Sequence, residues 1–227
     1  MFSVRISIEP HQHDSTIADL WDWGTLGVQE GDGYLEAFFN TCEEAKTFGE
    51  PIPCPETDWV QATEDAWPPI EAGTKFFVVA PWRIEPTPPG RFRLEINPGM
   101  QCGTGQHPCT RLCLAAMEHL IKPGDRVLDV GSGSGILSAA AKLLGAGVVI
   151  ACDIDAEAAT AAPLQEYAIP FYQGSVDAVR TGAFDVVVAN ISDIVLHELD
   201  GEFARVAKHR ILSGFQNDQG EWAYVAE

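Results

Sequence analysis

The chain is poor in positive charge. Lysine and arginine together number 14 against 33 acidic residues, a formal net charge of −19 over 227 residues. No basic run is present to neutralise phosphates, which disfavours nucleic-acid binding, and the acidity favours a cationic partner through long-range steering. No apolar stretch reaches the roughly 18 residues that would suggest a membrane span. The N-terminus, Met1-Phe-Ser-Val-Arg-Ile-Ser-Ile-Glu9, alternates like a strand and lacks the pattern of a signal peptide. A cytoplasmic protein is expected. No repeats or low-complexity tracts occur. The six cysteines form no C-x-x-C pair, so reduced thiols without metal are expected. His11-Gln-His13 would share one face of a strand, but a solvated pair is the commoner reading.

What is present centres on Val127-Leu-Asp-Val-Gly-Ser-Gly-Ser-Gly-Ile-Leu137. Val127–Val130 reads as a buried parallel strand, and Ile136–Leu144, rich in Ala and Leu, as a helix. Between them Gly131, Gly133 and Gly135 fall at every second position. Glycines there let the backbone turn sharply and let a ligand lie against it. The next strand, Val148–Cys152, ends in Asp153. An acid about 20 residues beyond such a turn is placed to accept from ribose hydroxyls. The spacing is G-x-G-x-G, since Ile136 stands where a dinucleotide fingerprint needs glycine, and no Gly-Lys-Ser/Thr follows. A Rossmann-like domain for some other nucleotide, or for none, stays open on this stretch alone.

The first 55 or so residues read as a small α+β unit. Strands are expected at Val4–Ile8 and Tyr34–Asn40, helices at Ser15–Trp23 and Cys42–Phe48, and turns over 27–33. Pro51, Pro53 and Pro55 mark a boundary, and Asp58–Trp67 suits a linking helix. The expected organisation is a small domain at 1–56, a linker at 57–69 and a larger domain at 70–227. In the larger domain Phe76–Pro81 and Arg91–Ile96 read as strands, paired as a hairpin across a proline-rich loop. A glycine loop carrying Gly99, Gly103 and Gly105 then feeds a helix with Pro108 near its first position and Leu112, Ala116 and Leu120 on one face. Pro163 should kink or restart the helix of Ala156–Tyr167. Phe171–Gly174 and Phe184–Ala189 are strands, the latter ending in Asn190 where open α/β sheets place ligands. A helix at Asp193–Ala207 and strands at Arg210–Phe215 and Trp222–Ala226 complete the pattern.

Four of these segments, in order, resemble the class I S-adenosylmethionine methyltransferases, and within them the ribosomal protein L11 methyltransferases (PrmA family). They are Glu95-Ile-Asn-Pro-Gly-Met-Gln-Cys-Gly-Thr-Gly-Gln-His-Pro-Cys-Thr-Arg-Leu112, the glycine stretch, Cys152-Asp-Ile-Asp155 and Phe184-Asp-Val-Val-Val-Ala-Asn-Ile191. The resemblance implies an α/β Rossmann-like methyltransferase sheet behind a small ferredoxin-like substrate-recognition domain. It implies S-adenosylmethionine contacts at Thr110, Gly131, Gly133, Asp153 and Asn190, with Asn190 orienting the incoming amine, S-adenosylhomocysteine as product and no metal. The implied substrate is a basic ribosomal protein, methylated on lysine and N-terminal amines by a monomeric enzyme. Another protein, a small amine, or cofactor binding without transfer are the alternatives.

The chain also departs from that pattern. Cys102 and Cys109 replace a phenylalanine and a threonine, and Lys208-His209 stands where the family has a Pro-Gly-Gly turn. A further helix and strand are missing before Glu221-Trp222. A shortened six-stranded sheet is expected, its last strand an edge joined by a hairpin.

Overall fold

The computed structural model describes residues 1–9, 12–54, 65, 67–97 and 105–227. Most of the expected linking helix, His11, Gly99, Cys102 and Gly103 fall outside the described residues. Two compact units divide at Thr63/Glu64.

The first unit is a four-stranded antiparallel sheet, ordered β2-β3-β1-β4. Its strands are β1 (Phe2–Ser7), β2 (Gly27–Gly31), β3 (Tyr34–Phe39) and β4 (Ile52–Pro53). Helices α1 (His13–Asp22) and α2 (Cys42–Lys46) accompany it. Val4, Leu35, Ala37 and Phe39 alternate inward and bury themselves with Leu20 and Ala45. Thr41 and Glu44 cap α2 reciprocally. The stretch expected to be all turn contains β2, because pairing to β3 outweighs its glycines; only Asp32-Gly33 turns, with Gly33 at φ 76°.

The second unit begins with a three-stranded sheet of β5 (Ile70–Ala72), β6 (Phe76–Val79) and β7 (Phe92–Glu95). The expected hairpin is corrected: β6 and β7 are parallel, with Phe76 opposite Phe92. The loop between them runs back beside β6 instead of turning at its end. Arg93 secures it by donating to the carbonyls of Arg83 (2.5 Å) and Glu85 (3.0 Å).

Helix α3 (Pro108–Leu120) follows. Its buried residues are Cys109, Thr110, Cys113, Leu114, Ala116 and Met117, so the inward face is displaced from the expected Leu112/Leu120 stripe, both of which are half-buried. Glu118 ties α3 to the β5–β6 turn, accepting from the Thr74 and Lys75 amides and the Thr74 hydroxyl. These hydrogen bonds hold its carboxyl below the ordinary value despite partial burial.

The main sheet has six strands in the order β10-β9-β8-β11-β12-β13. They are β8 (Arg126–Val130), β9 (Val148–Asp153), β10 (Phe171–Gln173), β11 (Phe184–Asn190), β12 (Ala207–Gln216) and β13 (Trp222–Ala226). All are parallel except β13, an antiparallel edge joined to β12 by the expected hairpin. Asn217 closes that turn, its side-chain oxygen accepting from the Gln219 and Glu221 amides. Cluster residues of α3, α4 (Ile136–Leu143) and the small sheet pack on one face. Leu196, Phe203 and Val206 of α6 (Asp193–Val206) pack on the other. Pro163 restarts the helix as foreseen: a 3-10 turn, Ala156–Thr160, gives way to α5 (Ala162–Glu166). At the amino ends of β8 and β11, Arg126 makes two 3.0 Å bonds to the Asp185 carboxylate and holds it well below the usual range.

Candidate functional site

β8 is where the sheet changes direction. The chain goes outward through β9 and β10 on one side, then returns through β11 and β12 on the other. The crevice at such a switch point, above the carboxyl ends of the strands, is where open α/β sheets take ligands. Register aligns the edge. Val130 is opposite both Ala189 and Cys152, so the next residue of each strand, Gly131, Asn190 and Asp153, stands side by side along it.

The glycine turn is built from left-handed backbone at Gly131, Gly133 and Gly135, with φ of 71°, 45° and 74°. Side chains are strained there, which accounts for three glycines so close together. The Gly131 and Ser132 amides both donate to the Cys152 carbonyl, at 2.9 and 3.0 Å. The Gly133 amide donates to one oxygen of Asp153 and the Asp155 amide to the other, each at 3.0 Å. Asp153 therefore braces the turn as well as standing at the strand end. A Cβ on Gly131 would lie 2.3 Å from Cγ2 of Ile191, so the glycine makes room for the residue after Asn190.

Across the crevice, the Asn190 amide donates to the Thr110 hydroxyl at 3.2 Å. Thr110 is the third residue of α3 and only 1% exposed. Pro108 takes the helix's first position, as its fixed φ suits, and His107 caps it by accepting the Cys109 amide at Nδ1 (3.3 Å). The His107 ring packs edge-on against Trp222 of β13, centroids 4.4 Å apart, which pins the helix start to the last strand.

Two further groups were not singled out from sequence. Asp129 is 1% exposed and accepts from Ser138 Oγ at 2.6 Å. Burial pushes its carboxyl up to about 6, opposed by the Ser138 bond and reinforced by the charge of Asp153. Its other oxygen, and the hydroxyl of Ser132 in the turn, are buried without a hydrogen-bond partner among the described residues. Unsatisfied buried oxygens ask for a donor that the described residues do not supply. The signal was a lone carboxylate inside the apolar strand Val127-Leu-Asp-Val130. The neighbouring thiols are poor nucleophiles: burial raises Cys113 to about 12 and Cys152 to about 11.

The sequence-expected residues thus form two pairs, Thr110 with Asn190 and Gly133 with Asp153, set beside Gly131 by strand register. Asp153 thus presents its carboxylate at the strand edge, and Asp129 and Ser132 present buried, unpartnered oxygens beside the turn.

A family model described as ribosomal protein L11 methyltransferase (PrmA) matches residues 5–222. The chain is 40% identical over 176 residues to the ribosomal protein L11 methyltransferase of Methylobacillus flagellatus, covering 73% of this chain and 58% of that one. It is 45% identical over 139 residues to that of Burkholderia lata, covering 60% and 46%. Among solved structures, the ribosomal protein L11 methylase of Lactobacillus delbrueckii subsp. bulgaricus aligns with a TM-score of 0.59 at 28% identity, over 70% of this chain and 96% of that one. The chain spans about half the length of the curated relatives it matches.

Proposed function

Because the chain belongs to the ribosomal protein L11 methyltransferase (PrmA) family, we propose that it transfers methyl groups from S-adenosylmethionine to lysine and N-terminal amines of ribosomal protein L11. The observation that carries this reading is the alignment of Gly131, Asp153 and Asn190 along one strand edge, with Thr110 held to Asn190.

The residues present fit the cofactor. Asp153 keeps lone pairs for the ribose hydroxyls beyond its two amide bonds. The unpartnered oxygens of Asp129 and Ser132 suit the ammonium of the methionine portion. The buried start of α3, at Thr110, suits its carboxylate. When bound, S-adenosylmethionine supplies an electrophilic methyl carried on a sulfonium.

The chain's own contribution is placement. Asn190 spends an amide hydrogen on Thr110, which fixes the side chain and leaves its carbonyl oxygen free to accept from an incoming amine. Alignment of that kind accounts for much of the rate in a transfer that develops no oxyanion. The amine must arrive neutral, and a low-dielectric crevice lowers its pKa toward that form. In this reading residues 1–56 recognise the substrate, 57–69 link, and 70–227 perform the transfer. A net charge of −19 suits a basic ribosomal protein. Among the described residues no helix is long and apolar enough to cross a membrane, and we assign the enzyme to the cytoplasm as a monomer.

The test is to incubate the protein with S-adenosylmethionine and purified ribosomal protein L11 and to read the substrate's intact mass. Methyl-sized increments that vanish with Asn190→Ala support the proposal. Cofactor binding with no increment sinks the L11 assignment and points to another basic protein or a small amine. Absence of cofactor binding sinks the methyltransferase reading itself.

A further inference from the structure

The face of the main sheet that carries α6 is open beyond that helix. Leu212 and Phe215 of β12 and Val225 of β13 form an apolar floor, with Leu196 of α6 as one wall of a cavity of about 280 Å³. Val225 is 43% exposed although it stands opposite the buried Leu212. The direct turn from β12 into β13 leaves no helix between these strands to cover the floor.

The rim of this groove is acidic. Asp193, His197 and Asp200 lie along α6, and Arg210 rises from β12. Arg210 is already committed: it bonds to Asp200 Oδ1 at 2.7 Å and to the Glu227 carboxylate. Two carboxylates thus bind one guanidinium, and among the described residues no other lysine or arginine lines the cavity. Asp193, exposed at the first position of α6, points the imbalance further toward cations.

One end of the groove lies at the carboxyl edge of the sheet, the edge that carries the site. Asp193 comes three residues after Asn190, and Gln216, which lines the other side, ends β12 on the same edge of the sheet. A chain laid along α6 would leave the groove at the crevice where the amine is expected.

We infer that this groove is a docking subsite for a segment of the protein substrate, seating an apolar side chain over Val225 and Phe215 with a lysine or arginine beside Asp193. The assignment rests on the methyltransferase reading above and adds to it a place where a basic, apolar-anchored segment is held. Charge complementarity selects this occupant. A second copy of a chain of net charge −19 would bring like charge to the same acidic rim.

The test uses the full chain and purified ribosomal protein L11 at low salt, with binding followed by calorimetry. Val225→Lys puts a cation on the groove floor at an exposed position and should weaken L11 binding at least tenfold. His197→Glu adds an acid to the rim and should tighten it about threefold, a gain that mere damage to the fold would not produce. Cofactor affinity and melting temperature should stay as in the wild type for both. If the wild type binds and methylates L11 and both variants bind it equally well, the groove assignment is overturned and the methyltransferase reading stands. If the wild type binds cofactor but not L11, the L11 reading falls and the groove assignment with it. Self-association of the wild type in sedimentation, abolished by Val225→Lys, would give the face to a second copy and overturn the proposal.

Discussion

Asn190 and Thr110 lie 80 residues apart in the chain, yet the amide of one donates to the hydroxyl of the other at 3.2 Å. The bond joins the end of a central strand to the start of a helix. Thr110→Val keeps the shape and removes the acceptor, leaving the Asn190 amide free to turn. A lost hydrogen bond of this kind is worth about 1–2 kcal/mol, so methyl transfer should slow by roughly 10-fold in kcat. Unchanged kcat would separate Thr110 from the orientation of Asn190.

Asp153 has two tasks, bracing the Gly133 amide and facing the expected ribose. Asp153→Ala should weaken cofactor binding by about 10- to 100-fold, the range for a charge-assisted hydrogen bond. Equilibrium titration with S-adenosylhomocysteine measures this. Wild-type affinity in the variant would place the ribose elsewhere.

Gly131→Ala combines a positive φ of 71° with a Cβ only 2.3 Å from Ile191. Strain of about 1–3 kcal/mol is expected, read as a lower urea midpoint together with weaker cofactor binding. Adding Ile191→Ala relieves the contact but not the backbone, so recovery should be partial. Full recovery would show that φ at this position costs little.

The buried Asp129 carboxyl titrates at about 6 in the folded chain and near 3.9 when unfolded. Below pH ~4 both states are protonated and the full stability is present. As pH rises through 6 the folded state must hold a buried charge, and about 2–3 kcal/mol is lost. Asp129→Asn retains an acceptor for Ser138 and should flatten stability between pH 4 and 6.5 by that amount. Parallel urea-midpoint curves for the two proteins would refute it.

Glu118→Ala removes the acceptor of the Thr74 and Lys75 amides and should destabilise the chain by about 1–3 kcal/mol. Thermal unfolding monitored by circular dichroism checks this, and an unchanged midpoint would show that solvent replaces the carboxylate.

The edge hairpin was legible in sequence because strong local signals agree, and the six-strand count because the family resemblance implied it, but the strand order was not. The apolar run of β11 ends abruptly in Asn190, and Asn217 to Gly220 can only turn. The parallel pairing of β6 with β7 was not legible. Two short apolar runs look alike whether they meet as a hairpin or after a crossover, and the contacts that hold the crossover, Arg93 with the carbonyls of Arg83 and Glu85, exist only once the loop is folded. At the site, residues at strand ends could be named from sequence. Asp129 could not be assigned, because its role depends on Ser138 and on burial that only the packed sheet creates.

Gly214 sits at the irregularity where β12 slips against β13: Ser213 is opposite Tyr224, but Phe215 is opposite Ala223. That extra residue inverts the in-out alternation of the strand, so Leu212 and Phe215 come to the same side. A built Cβ at Gly214 would stand 1.8 Å from the Ile191 carbonyl, so point substitution is closed to it. Loss of the residue altogether is a different event. It would make Ser213–Tyr224 and Phe215–Ala223 consecutive pairs of a regular ladder, so the Phe215 ring would keep its side with Leu212 while the irregularity and the close approach to the Ile191 carbonyl disappear. At this point of the hairpin a lost residue is thus milder than a changed one, because the side chains on both faces keep their neighbours while any Cβ at Gly214 must displace the backbone of Ile191.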